Sequence, residues 1–279
     1  MIEGVCCVKN QKIGFIGIGN MASAIIDGIL KSNQIPADNI FMYNPHPEKM
    51  TRFVNAGCIA FASSLEVLEA CGTVFICVKP QVFPAVLCEL KPALNKSDPD
   101  DVLFVSIAAG ITFKNLQDAL YPEMKFIRAM PNTPLLLGVG ATALSRTDNV
   151  SDVDFERIAN IFAYCGVVKE IPESQIDAVM SVSGSSPAYL YRLAKITCDY
   201  AMQRGMERQV ALELFCQTLK GSAEMLLQTG KEPEALIDMV TSKGGTTFQL
   251  LGVLNNYNFD DVMVEAFEAC EHRARELSM

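Results

Sequence analysis

Along the first half of the chain, short runs of β-branched and aromatic residues alternate with stretches whose apolar positions recur every three or four residues. Continuous apolar runs read as strands buried on both faces, and the periodic stretches as the helices that cover them. The pattern predicts strand Lys12–Gly17, helix Asn20–Lys31, strand Ile40–Tyr43, a helix from Pro47 to Ala56, strand Gly57–Phe61, helix Leu65–Ala70 and strand Thr73–Val78. A helix around Pro84–Leu90, strand Val102–Ile107, helix Phe113–Leu120 and the strands Phe126–Ala129 and Gly140–Leu144 complete the strand list. Such alternation is what a parallel α/β sheet requires.

The character changes near Cys165–Glu170. From Glu173 onward helical spacing dominates, with Ile176, Val179 and Met180, then Leu190, Leu193, Ile196 and Tyr200. Breaks are expected at Gly184–Pro187, Gly205, Gly230 and Gly244–Gly245. The expected organisation is therefore a parallel-sheet domain over residues 1–170 and an all-α domain over 171–279. The chain has no internal repeat, low-complexity segment or long flexible linker.

Composition narrows the function classes. Half of the 279 residues are hydrophobic and 20% are charged, which suits a compact protein with a large core. Twenty-three basic against 32 acidic residues give a net charge of −9, which argues against nucleic acid or an anionic membrane as the main partner. The longest uncharged stretch, Ala129–Ser145, contains two prolines and two glycines and falls short of the ~20 apolar residues that span a bilayer. Met1–Lys12 lacks the features of a signal peptide. A soluble, cytoplasmic protein is expected. None of the ten cysteines forms a C-x-x-C pair and there are two histidines, so a metal site has few candidate ligands. Cys6 and Cys7 are adjacent and the rest are scattered through apolar surroundings, as expected of buried reduced thiols.

The first motif with chemistry is Gly17-Ile18-Gly19-Asn20-Met21-Ala22, a G-x-G-x-x-A between the first strand and an apolar helix. Gly17 allows a tight turn, Gly19 lets the backbone approach a pyrophosphate, and Ala22 lets the helix pack closely on the strand. The first amides of the helix then face the phosphates. NAD-selective sites usually carry an acid at the end of the second strand to hold the ribose 2′-hydroxyl. Here Tyr43-Asn44-Pro45-His46 has no acid before Glu48; Asn44 tolerates a 2′-phosphate, and Lys49 or Arg52 is within reach of one. The expected cofactor is NADPH, with NADH possible. His46 reads equally as a loop residue or a phosphate contact. Ligands of open parallel sheets bind at carboxyl strand ends, which adds Cys77-Val78-Lys79-Pro80 and Ala108-Ala109-Gly110, whose small residues leave room for a flat ring.

Two segments stand out in the helical half. Ser242-Lys243-Gly244-Gly245-Thr246-Thr247 precedes a helical run, and the free amides of such a helix start suit a carboxylate; it also reads as an ordinary interhelical turn. Ser183-Gly184-Ser185-Ser186-Pro187-Ala188-Tyr189 reads as a helix start built for close packing or as lining of a substrate site. Serine-protease chemistry does not fit, because no G-x-S-x-G is present and neither His46 nor His272 makes a plausible triad.

Together with Val78-Lys79-Pro80-Gln81, Ala108-Ala-Gly-Ile-Thr112, Arg128-Ala-Met-Pro-Asn-Thr-Pro134 and Gly244-Gly245-x-Thr247, these segments resemble the pyrroline-5-carboxylate reductases from about Lys12 to Leu277. The resemblance implies an α/β chain, with an N-terminal Rossmann-type parallel-sheet domain followed by an all-α dimerisation domain. It implies hydride transfer from NAD(P)H to the ring C=N of 1-pyrroline-5-carboxylate, the last step of proline biosynthesis, in a homodimer or larger homo-oligomer. Ser64 joins the cofactor residues on this basis. The substrate would lie against the Gly-Gly-x-Thr turn of a partner subunit. Amides around Gly245, Thr246 and Thr247 would hold its carboxylate, with Ser242 nearby and Thr247, the catalytic candidate, bonding the ring nitrogen. Glu173 aligns with a family acid near the pocket. An iminium is already electrophilic, so orientation and a donor near the nitrogen are expected to suffice, without metal or nucleophile.

Three departures from the family pattern are visible. Ser186 stands where glycine is usual, Lys243 where proline is usual and Met180 where threonine is common. They motivate one rival, a cofactor-binding paralogue without turnover. A second rival is a β-hydroxyacid dehydrogenase, which needs a lysine early in the helical domain; the first lysine after Gly184 is Lys195.

Overall fold

The computed structural model describes residues 11–94 and 101–277; Cys6 and Cys7 lie outside them. Two compact units are present, one up to Ser185 together with the segment from Cys270, the other Ser186–Ala269.

The first unit is built on an eight-stranded sheet: β1 (Ile13–Ile16), β2 (Ile40–Tyr43), β3 (Ile59–Ala60), β4 (Thr73–Ile76), β5 (Leu103–Ser106), β6 (Lys125–Pro131), β7 (Gly140–Arg146) and β8 (Gly166–Glu170), in the order β3-β2-β1-β4-β5-β6-β7-β8. Alternate residues go to opposite faces, and both faces are covered. Phe15, Met42, Phe75 and Ile127 pack under α1 (Asn20–Ser32) and α6 (Asp152–Ala163), with the Phe15 and Phe75 rings stacked at 4.7 Å. Ile16, Val74, Ile76, Phe104 and Phe126 pack under α3 (Ser64–Ala70), α4 (Phe83–Leu94) and α5 (Phe113–Ala119). A short helix α2 (Thr51–Asn55) follows β2 after a 3₁₀ turn at Pro47–Lys49, splitting the single helix expected there.

Two features correct the sequence reading. β7 runs antiparallel to β6, because the connection over residues 132–139 is shorter than the dozen or so residues that a parallel crossover needs. After helix α6, β8 then pairs in parallel with β7 and extends the sheet beyond the expected list. Its sequence, Gly-Val-Val-Lys-Glu, lacks an apolar run because it is an edge strand, with Val167 61% exposed.

Residues 171–185 stay with the sheet in one compact unit, and the second unit begins at Ser186. The reason is packing. Ile176, in α7 (Ile176–Val179), is buried with Met130 and Ala143. A π-helical turn, Met180–Gly184, follows, and Asn132 Nδ2 donates to the Ser183 carbonyl at 3.1 Å. That carbonyl would meet residue 187 in an α-helix, and Pro187 has no N–H to give.

The second unit comprises α8 (Ser186–Gln203), α9 (Arg208–Gln228), α10 (Pro233–Val240), α11 (Thr246–Asn256) and the start of α12 (Phe259–Leu277). Its helices end where expected, at Gly205 and Gly230, both with positive φ. Large apolar side chains stand on its surface, among them Leu227 (81% exposed), Tyr191, Leu250 and Val253. None of the eight described cysteines is in a disulfide; Cys58, Cys71, Cys165 and Cys198 are buried, but Cys88 and Cys216 are exposed, which corrects the expectation of uniformly buried thiols. No described helix is long and apolar enough to cross a membrane.

Candidate active site

β1 lies between β2 and β4, so the chain crosses away from it in both directions and a crevice opens at the carboxyl ends of these strands. Gly17 N–H donates to Tyr43 O at 2.9 Å and Cys77 N–H to Ile16 O at 2.8 Å, which keeps the three strand ends together. Gly17 has φ +91°, and a Cβ there would lie 2.8 Å from Val78 Cγ1 and 3.1 Å from the Cys77 carbonyl carbon. A side chain would wedge the two loops apart.

Gly19 caps α1 with no side-chain bond, and no acid stands in the first turn of that helix. A Cβ on Gly19 would meet nothing within 4 Å, so the ground before the amides of Asn20, Met21 and Ala22 is open. Ala22 itself is buried, allowing α1 to sit close to the sheet. An open, positively polarised helix start at a strand end fits a pyrophosphate.

Asn44 has a structural task beyond the one read from sequence. Its buried side chain accepts from Ile18 N–H at 2.9 Å and donates to His46 O at 3.0 Å, tying the glycine turn to the segment after β2. Beside it a cleft of about 490 Å³ is lined by Ile18, Gly19, Asn20, Glu48, Lys49 and Arg52. Arg52 is committed elsewhere: its guanidinium forks onto Asp27 at 2.9 and 2.8 Å and lies 4.1 Å from the Phe53 ring centre. Lys49 is exposed and has no ion pair among the described residues. His46 is exposed, with Nδ1 3.8 Å from Glu48.

After β4, the half-buried Cys77 thiol is pushed above its ordinary range by desolvation, which suits a packing group. Val78 and Pro80 are half-buried and Lys79 is exposed. After β5, Ser106 Oγ accepts from Ala108 N–H at 3.3 Å. Ala108 is buried, and Gly110 has φ +78°. Thr112 then caps α5 in a reciprocal box with Asn115. Ser64 opens α3, and its buried hydroxyl donates to Glu89 Oε1 at 2.5 Å, so that hydroxyl is engaged within the fold.

Glu173 is likewise engaged. Its Oε1 accepts from Arg128 Nη1 at 2.6 Å and from Phe113 N–H at 2.6 Å. Arg128 went without a role in the sequence reading; the signal was a single charge inside the apolar strand Phe-Ile-Arg-Ala-Met.

In the helical unit, Gly245 N–H donates to Ser242 O at 2.9 Å and Gly244 has φ +77°. This is a type II turn, with Lys243 at its second position and glycine at the third. A Cβ on Gly245 would lie 2.5 Å from Ser242 Oγ, so a side chain there would make the Ser242 hydroxyl turn away. Gly245 caps α11 with no side-chain bond and no acid in the first turn, which leaves the Thr246 and Thr247 amides at an open, anion-favouring helix start. Lys243 is exposed and Thr247 half-buried. Among the described residues, no three His, Cys, Asp or Glu side chains gather as a metal site would require.

Comparison with known proteins gives this geometry a family. Residues 173–277 match the family described as pyrroline-5-carboxylate reductase dimerisation, and residues 12–110 match NADP oxidoreductase, coenzyme F420-dependent. Pyrroline-5-carboxylate reductase of Escherichia coli is 40% identical over 96% of this chain and 98% of its own. The Plasmodium falciparum pyrroline carboxylate reductase, solved with NADP bound, superposes with a TM-score of 0.87 at 31% identity, covering 98% of this chain and 100% of its own. The Coxiella burnetii pyrroline-5-carboxylate reductase gives 0.86 at 32% identity, covering 96% and 98%. The chain belongs to the pyrroline-5-carboxylate reductase family.

Proposed function

We propose that this chain reduces the ring C=N of 1-pyrroline-5-carboxylate to L-proline with NADPH, completing proline biosynthesis, and that it works as a homodimer or larger homo-oligomer in the cytoplasm. The observation that carries the reading is the Ser242–Gly245 turn, which holds the start of α11 open for a carboxylate in a chain that also carries a dinucleotide site. Bound NADPH would supply the hydride that takes the protonated imine to the secondary amine, leaving NADP⁺.

The chain's own residues orient and polarise. Amides from Gly245 to Thr247 hold the substrate carboxylate, with Ser242 beside them. The Thr247 hydroxyl oxygen accepts from the ring N–H and fixes the imine for attack, the one catalytic contact a side chain makes. Gly17 to Ala22 would hold the pyrophosphate, Lys49 would pair with the 2′-phosphate, and the loops Cys77–Pro80 and Ala108–Gly110 would bound the nicotinamide.

The departure at Lys243 is compatible with turnover. Lys243 fills a turn position that any residue with negative φ can occupy, and its exposed side chain leaves the carboxylate amides untouched. The exposed apolar residues of the helical unit support a second copy as the partner. Eight described cysteines outside any disulfide fit a reducing compartment. Purified protein should oxidise NADPH on addition of pyrroline-5-carboxylate, with a lower KM for NADPH than for NADH. Absence of turnover with both cofactors would revive the non-catalytic paralogue.

A further inference from the structure

Arg128 is almost fully buried, its side chain 4% exposed, in the middle of β6. In the parallel register it stands opposite Ser106, the last residue of β5, where the Ile107–Thr112 loop begins. Its Nη2 has no hydrogen-bond partner, and among the described residues Glu173 is its one anionic contact, at 2.6 Å. A buried guanidinium is tolerated only with a counter-charge, so the pair fixes where Glu173 sits. Glu173 is steadied from behind as well: Ser145 Oγ donates to Ile171 O at 2.5 Å, and Ile171 N–H donates to Leu144 O at 2.9 Å.

The same Glu173 oxygen accepts the Phe113 amide, the first of α5 and one of the donors a helix leaves unpaired. The loop Ile107–Thr112 is thus held at its start by Ser106 Oγ on Ala108 N–H and at its end by Glu173 on Phe113 N–H. We propose that Arg128 is a positioning residue: through Glu173 it sets the Ala108–Gly110 loop at the height the nicotinamide ring needs. The inference rests on the reading that this loop bounds the nicotinamide. It gives Glu173 a route to catalysis through the cofactor loop instead of through the substrate.

The test compares two ligands. NADP⁺ carries the nicotinamide; adenosine 2′,5′-bisphosphate occupies only the adenosine end. Arg128→Met should bind the bisphosphate within twofold of wild type, bind NADP⁺ about tenfold more weakly, and lose kcat while keeping KM for pyrroline-5-carboxylate within threefold. Arg128→Lys keeps the charge with a shorter reach and should lose two- to threefold in the same ligand ratio. It also serves as the folded variant should the methionine one not fold. A wild-type ratio in the folded variants overturns the proposal. So does an equal loss for both ligands, the mark of a general structural role. Failure of the unmodified protein to bind either ligand would instead remove the reading of the cofactor site on which the proposal stands.

Discussion

Lys49 and Arg52 stand three residues apart and line the same cleft, and their surroundings give them different work. Arg52 is forked onto Asp27, while Lys49 has no ion pair among the described residues. An exposed charge contact is worth ~1 kcal/mol, about a fivefold change in affinity. Lys49→Ala should therefore raise KM for NADPH about fivefold and leave KM for NADH within twofold, as steady-state kinetics with the two cofactors will read. Asn44→Asp keeps the acceptor for Ile18 N–H, gives up the donor to His46 O and sets a negative charge beside the proposed 2′-phosphate position. It should raise KM for NADPH by about tenfold or more and favour NADH; unchanged preference would place the phosphate elsewhere. Burial has its own signature at Cys58, whose thiol is pushed up from 9.0 to about 11. Well below pH 9 the thiol is neutral in both states and contributes no pH dependence. Between about pH 9 and 11 the unfolded chain loses this proton first, so stability falls by ~1.4 kcal/mol per pH unit from this group. Denaturant titrations across that range should show a decline that Cys58→Ala makes shallower.

At the scale of elements, the Ser242–Gly245 turn makes the sharpest claim about this particular sequence. Its second position accepts the fixed φ of proline, and the Lys243 N–H is not part of the turn's closing bond. Lys243→Pro should hold KM for the substrate within threefold and raise stability by ~0.5 kcal/mol through a less flexible unfolded chain. A loss of folding would mean that the turn is of another type. The strands that form the middle of the sheet were legible because burial on both faces forces apolar runs, as in Ile13–Ile16 or Thr73–Ile76. β8 was not, because an edge strand needs no such run, and the reversal at β7 depends on connection length and not on residue type. The glycine turn and the Gly244–Gly245 turn were readable from backbone necessity. The Arg128–Glu173 contact was not, since it joins positions 45 residues apart that only the folded sheet brings together.

For the whole molecule, the helical unit exposes Leu227, Val253 and their apolar neighbours on a surface that water alone would leave costly. Light scattering on the intact protein should give a mass of a dimer or a larger even assembly, and Leu227→Asp with Val253→Asp should shift it toward monomer with loss of activity. A monomeric, fully active wild type would contradict the assembly. The central claim is the reaction itself, and isotope transfer tests it most directly. The protein should be incubated with pyrroline-5-carboxylate and NADPH deuterated at both C4 positions, and the product examined by mass spectrometry and NMR. The account predicts proline carrying one deuterium at C5, formed in step with NADP⁺. Cofactor that binds but stays reduced, with no labelled proline, would contradict it.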